Sequence, residues 1–219
     1  MDRLFELGPD FWTAAFETLY MVALTLLIGG AIGLVLGIVL YASRAGGLMP
    51  NPIVYNVLNV VINFFRPIPF IIFIAAVQPL ARYVIGIGIG NDAMIFSLSI
   101  AASFAISRIV EQNLVTVSPG VIEAARAMGA GPVRILRTVV IPEALGPLIL
   151  GYTFIVVAIV DMTAMAGFIG GGGLGNFALV YGYRQFEPAI TWAALLLIVV
   201  FVQALQFLGN WLARKVMRR

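Results

Sequence analysis

Residues 123 to 142 read EAARAMGAGPVRILRTVVIP, a stretch with three arginines in a 219-residue chain that is 62% hydrophobic and only 11% charged. Ser118 stands where an N-cap belongs and Pro119 at the first helical position, ahead of the helix-compatible run Glu123, Ala124, Ala125, Arg126, Ala127 and Met128. Gly129 then falls where a helix ends in a left-handed residue. Pro132 opens a second helix with Arg134 and Arg137 on one face and Ile135, Leu136 and Val139 on another, running toward Pro142. The spacing predicts a short helix, a glycine hinge and a second short helix over about 118–142. A helix surface made of alanine lets the cleft of a partner approach the backbone closely. The same spacing also suits a solvated basic loop with ordinary caps, and composition decides where such a loop can lie.

A mean hydropathy of +1.05 with long uncharged runs places the chain among polytopic membrane proteins, as one membrane domain over 1–219. With no cysteine and no histidine, disulfides, thiolate metal sites and the usual general base are excluded, so neither a metal site nor a catalytic residue is expected. A net charge of +3 gives no reason to expect a nucleic acid partner. The acidic opening MDRLFELGPDFW lacks a basic region before an apolar core, so no cleaved signal peptide is expected. Against a hydrocarbon core of about 30 Å, Leu19 to Tyr41 and Ala189 to Leu212 are long enough to span. Three weaker spans are expected between them: Asn51 to Leu80, interrupted at Arg66-Pro67-Ile68-Pro69; Ala93 to Ser107, short and serine-rich; and Ala144 to Val160, stopping at Asp161. With the N-terminus outside, five spans put Arg44, Arg108, Arg126, Arg134, Arg137, Arg214, Lys215, Arg218 and Arg219 on the cytoplasmic side and only Arg3, Arg82 and Arg184 outside. The basic stretch becomes the main cytoplasmic loop.

Other features carry competing readings. Gly29, Gly33 and Gly37 form a small-residue face for close helix packing, within one chain or between copies. Arg66 inside a span is read as a partner for carbonyls freed by its flanking prolines, with gating or substrate contact as alternatives. Asn59 and Asn63, one turn apart, read as interhelical hydrogen-bonding groups. The string GGGGLG at 170–175 formally satisfies a dinucleotide fingerprint but lacks the strand–turn–helix context that fingerprint needs. It reads either as a flexible turn or as a backbone that lets a docked protein come close.

The order Glu123-Ala124-Ala125, Gly129, Ile141-Pro142 resembles the EAA-loop signature of permease subunits of ATP-binding-cassette importers. NFFRPIPFIIF, AMAGFIGGGGLGNFALVYGY, the length and the short basic tail are similar to the methionine-uptake permeases of the type I importer fold. That resemblance implies an all-α, five-span, multi-pass permease of the bacterial plasma or inner membrane. It implies a homodimer, two copies of a cytoplasmic ATPase that holds ATP and Mg, and an extracytoplasmic binding protein. No cofactor is expected on this chain, only membrane lipid around it and an amino acid passing through it. Glu123, Ala124, Ala125, Ala127, Met128 and Gly129 are then the coupling residues, and Gly170, Gly171, Gly172, Gly173 and Gly175 the docking loop. Asp161, Met162, Met165, Asn63 and Arg66 are candidates for the substrate path. Pro67 and Asp161 depart from the family pattern. Asp161 is read either as an anchor at the outer interface or as a carboxylate facing the substrate beside two thioethers. Methionine is the expected cargo. Another amino acid carried by the same class is the alternative, and an ion-coupled secondary transporter a more distant one.

Overall fold

The computed structural model describes residues 6–217, so Arg3, Arg218 and Arg219 of the charge count lie outside them. The described residues form helices and turns and no strand. In lipid every backbone polar group has to be satisfied within its own segment, and an α-helix does that. Four helices are long and apolar enough to cross a membrane: α1 (Gly8–Ser43), α4 (Asn91–Val115), α8 (Leu145–Ala166, extended by a 3₁₀ turn to Ile169) and α10 (Pro188–Met217). A bent pair, α2 (Pro52–Phe65) and α3 (Phe70–Ile85), whose axes turn by 112°, is long and apolar enough only when taken together, as a broken span or a re-entrant loop. Three short helices, α5 (Pro119–Ala127), α6 (Pro132–Ile135) and α7 (Ile141–Glu143), lie between α4 and α8, and α9 (Gly173–Phe177) lies between α8 and α10.

The ends of these helices follow from local chemistry. Asn51 caps α2 by accepting from the Val54 N–H at 3.1 Å, with Pro52 in the first turn. Pro67 and Pro69 cannot donate to a helical ladder, so α2 ends before them and α3 restarts beyond them. The expectation for Arg66 does not hold. Its side chain is exposed and makes no hydrogen bond to a described residue, because the turn closes its own backbone, with the Ile68 N–H on Phe65 O and the Ile72 and Phe73 N–H groups on Pro69 O.

At the centre lies α4, the most buried of the long helices, and α1 runs parallel to it. A Cβ added at Gly29 would meet Ser99 O at 2.7 Å; at Gly33, Ile106 Cβ at 2.6 Å; at Gly37, Ser107 O at 2.5 Å. The small-residue face is therefore spent within one chain, backbone against backbone. The serines that make α4 look too polar to span are consistent with this packing. Ser97, Ser103 and Ser107 donate to carbonyls of Ala93, Ile100 and Phe104 in their own helix, so no hydroxyl of the three is left bare in the interior. Antiparallel α8 closes the other side of the core, and Tyr152 of α8 donates to Gly30 O of α1 at 2.8 Å. In contrast, α10 packs on α8 along one edge and leaves Trp192, Leu196, Val200 and Phe207 exposed, as expected of a surface for lipid or a second copy.

Arg108 corrects the sequence reading in a second way: it is inside α4 rather than in a cytoplasmic loop. Its guanidinium donates to Asn59 Oδ1 at 2.7 Å and Asn63 Oδ1 at 2.8 Å on α2 and pairs with Glu111 one turn on. Asn63 also donates to Asn59 Oδ1 at 3.0 Å. The asparagines are thus interhelical groups as expected, with an unforeseen cation between them.

The seam generates a direct test. Gly33→Leu should cost roughly 1–3 kcal/mol or more through overpacking and lower the melting temperature of the detergent-solubilised protein. Gly30→Ala, whose added Cβ finds Tyr152 only at an ordinary 3.4 Å, should leave it nearly unchanged.

Candidate coupling segment and translocation path

The segment that opened the sequence has the predicted local form. In α5, Pro119 occupies the first turn, and Ser118 is at the N-cap position without a side-chain cap bond. Gly129 stops the helix at φ +81°, with its N–H on Arg126 O and the Ala130 N–H on Ala125 O at 3.1 Å, the paired closure of a Schellman motif. From Pro132 the chain continues through a wider π turn at Leu136–Val140 into α7. The wider turn accommodates Pro142, whose ring would clash with the carbonyl four residues back in a regular helix.

The two faces of this segment separate cleanly. Ile135, Leu136 and Val140 join Ile106, Val110, Leu114 and Ile155 in one buried cluster, while Arg134 and Arg137 stay exposed. Glu123, Ala124, Ala127, Met128 and Gly129 form the free surface, with Met128 82% exposed. Ala125 is the exception and corrects the expectation. It is 3% exposed within that same cluster, so it anchors α5 to the bundle and cannot touch a partner. Its place one turn after Ile122, on the inward side of a 3.6-residue repeat, is the reason.

At the opposite end, the glycine-rich loop is held by its own protein. The Gly172 N–H donates to Asn91 Oδ1 at 2.7 Å, the Gly173 N–H to Glu17 Oε2 at 2.7 Å and the Leu174 N–H to Thr18 Oγ1 at 2.8 Å. The Gly90 N–H adds a bond to Gly170 O at 3.0 Å. Gly171 and Gly173 are buried, and a side chain at Gly175 would strike the Ala164 backbone. These glycines serve close approach of the chain to itself, not a flexible loop. Exposed surface at this end is instead made by Gly170, Phe168, Tyr183 and Phe186, the last 91% exposed and held at φ 57°. No periodicity points to those aromatics, which the sequence reading missed.

The candidate path residues fall into two groups. Asn63 is committed to the Arg108 network, and Met162 packs half-buried against a cluster containing Met21, Ile74 and Met94. Asp161 and Met165 stand on an exposed stripe of α8 with Phe154 and Phe168, and Asp161 has no hydrogen-bond or ion-pair partner among the described residues. Asp161 is not at the outer end of its span. Its helix runs on through Ala166 and a 3₁₀ turn to Ile169, and its neighbour Met162 packs on the cluster of Met94, Ile95 and Leu98 in the first turns of α4. Arg66 is exposed at the α2–α3 bend, on the far side of Phe65, which stacks on Phe104 at 5.1 Å. The fold does not bring Arg66 or Asn63 into hydrogen-bond contact with Asp161.

A buried, parallel pair of helices, a rooted helix–glycine–helix projection and a closed glycine corner thus make up one packed bundle. Comparison with known proteins gives this arrangement a family. The pattern of the family described as binding-protein-dependent transport system inner membrane component matches residues 29–219. The chain belongs to this family. It is 38% identical over 216 residues to the probable D-methionine transport system permease protein MetI of Vibrio cholerae serotype O1, covering 98% of this chain and 96% of that one. It is 38% identical over 210 residues to the methionine import system permease protein MetP of Bacillus subtilis, covering 96% and 95%. Among solved structures, an inward-facing form of the MetNI methionine ABC transporter superposes with a TM-score of 0.91 at 37% identity, covering 95% of this chain and 98% of that one. This family member has the type I importer permease fold and is a multi-pass membrane protein.

Two substitutions test the local assignments. Arg108→Met leaves the Glu111 carboxylate, 6% exposed, without its cation, and should cost roughly 3–5 kcal/mol, read as a large drop in melting temperature. Gly129→Val meets no atom within 4 Å and so adds strain without a clash, about 1–2 kcal/mol. It should insert and fold yet fail in transport, and normal uptake by vesicles carrying it would count against the coupling assignment.

Proposed function

We propose that this chain is the permease subunit of an ATP-driven methionine importer, working as a homodimer with two copies of a cytoplasmic ATP-binding subunit and an extracytoplasmic binding protein. The observation that carries this reading is the rooted coupling segment in a chain with methionine-permease relatives over nearly its whole length. The N-terminus lies outside and the C-terminus inside, so α5 faces the cytoplasm. ATP and Mg belong to the ATPase; this chain supplies a conduit and a lever and performs no covalent chemistry. Closure of the ATPase displaces the exposed face of α5, formed by Glu123, Ala124, Ala127, Met128 and Gly129. Because Ala125, Ile135 and Val140 are packed into the bundle, that displacement moves α4 and α8 with it. The binding protein docks on the aromatic surface of Phe168, Tyr183 and Phe186 around Gly170. Alternating access follows from these two contacts at opposite ends of one packed unit.

Asp161 sets the substrate path. A carboxylate inside a span is costly where it faces hydrocarbon, so its stripe with Phe154, Met165 and Phe168 faces the aqueous path between two copies. There it meets the ammonium of an amino acid while Met165 and the aromatics receive an apolar side chain. The same carboxylate favours a second reading of the cargo, an amino acid with a further cationic group. Uptake into proteoliposomes holding permease, ATPase and binding protein, with methionine competed by each of the other amino acids, decides between them. Asp161→Asn should reduce uptake about tenfold or more while leaving basal ATP hydrolysis and binding-protein docking intact. Unchanged uptake would remove Asp161 from the path.

A further inference from the structure

We propose that the crevice between the end of α1 and the coupling helix α5 is a binding site for a phosphate-type oxyanion, filled in the cell by the headgroup of an anionic phospholipid. The crevice has a volume of about 170 Å³, several times the roughly 30 Å³ that a water takes in the liquid. Tyr41 and Arg44 line it from α1, the Gly46–Gly47 turn closes one side, and Pro119, Glu123 and Arg126 line it from α5.

Its polar groups are gathered but not satisfied by one another. Arg44 lies over the Tyr41 ring at 4.8 Å, and its Nε is buried with no hydrogen-bond partner. Arg126 reaches only Gly47 O, at a long 3.5 Å. Neither guanidinium is ion-paired with a described carboxylate. Tyr41 is 2% exposed and its hydroxyl makes no hydrogen bond to a described residue. Glu123 is the single acidic side chain on the crevice and is itself exposed, so the walls keep one uncompensated positive charge. Two guanidiniums and a phenol O–H facing one small volume offer more donors than the Glu123 carboxylate and the Gly47 carbonyl take up, a set that suits a tetrahedral oxyanion.

The lipid source follows from what adjoins the crevice. Tyr41 and Arg44 close a membrane-spanning helix, at the level where a headgroup sits. Eight residues after Arg44 begins α2, whose Ile53, Val57, Val60 and Phe64 form an exposed stripe, 57–76% exposed, along which acyl chains can lie. An occupant held by both Arg44 and Arg126 would tie the coupling helix to the membrane helix beside it. The site rests on this geometry; only its assignment to the inner leaflet rests on the topology proposed above, and the test reads binding rather than transport.

The purified permease–ATPase complex, delipidated in detergent, is titrated with dioctanoyl phosphatidylglycerol, with dioctanoylglycerol lacking the phosphate, and with inorganic phosphate. Melting temperature and native mass spectrometry report occupancy. We expect the phosphatidylglycerol to raise the melting temperature and to remain bound at one copy per permease, with no effect of dioctanoylglycerol. Stabilisation by inorganic phosphate at similar concentrations would retain the site and reassign its source to free phosphate. Arg44→Gln and Arg126→Gln should each weaken binding about tenfold. Tyr41→Phe, which keeps the ring packing, should weaken it severalfold, so the answer does not hang on the folding of one variant. Equal affinity in wild type and all three variants overturns the proposal. So does a wild-type complex that responds to neither ligand, which would leave an acidic side chain of the ATPase as the occupant of the crevice.

Discussion

The contact of α1 with α4, backbone to backbone with only hydrogen atoms where Gly29, Gly33 and Gly37 face Ser99, Ser103 and Ser107, holds the rest of the molecule in place. Each contact pairs a residue with the one seventy positions later, so the two helices run parallel and in register over about two turns. The same register brings Glu17 and Thr18 to Asn91 at one end, where together they bind the amides of the glycine-rich corner. At the other end it sets Tyr41 and Arg44 beside the end of α4 and the start of α5. In lipid no hydrophobic force drives helices together, and association relies on close packing and internal hydrogen bonds. A side chain in this seam would therefore disturb both ends at once.

Polar groups in the bundle divide by whether they have a partner. Arg108, Glu111, Asn59 and Asn63 satisfy each other across α2 and α4, and Ser97, Ser103 and Ser107 of α4 bond carbonyls of their own helix. These are structural groups, because a low-dielectric interior tolerates charge only when it is paired and hydrogen-bonded. Asp161, Arg66, Arg44 and Arg126 have no such partner. In a protein surrounded by hydrocarbon, unpartnered charge marks where water, substrate, a headgroup or another subunit must be. The division separates the groups that hold the fold from those that meet something outside it.

The segment over 119–143 combines the two properties. Ala125, Ile135, Leu136 and Val140 are packed into the cluster that also holds Ile106, Val110 and Leu114 of α4, and the opposite face is bare. A short helix rooted in this way behaves as part of the bundle, since a close-packed interior transmits displacement instead of absorbing it. The π turn at Leu136–Val140 lets the chain pass Pro142 without breaking that root.

Much of this was determined by sequence alone. The helix, stop and restart over 118–142 are legible because caps, a left-handed glycine and a helix-starting proline act within four residues of one another. The spans are legible because the bilayer demands length and apolarity, and the break at Pro67 and Pro69 because the missing N–H is a local fact. Only the tertiary structure decided which neighbours those segments meet. The glycine face could have served a second copy, and packing spent it on α4. Arg108 looked like a loop residue because its acceptors lie 45 and 49 residues away in sequence. Ala125 and Ala124 are chemically identical and differ only in which side of α5 touches the core. Asp161 looked like the end of a span and lies inside one, because Ala166 and Ile169 pack against Ala93 and Met94 of α4 and carry α8 past the charge. Local conformation depends on near neighbours along the chain and so can be read from it; partners, depth and exposure depend on contacts between distant segments, which only the packed fold sets.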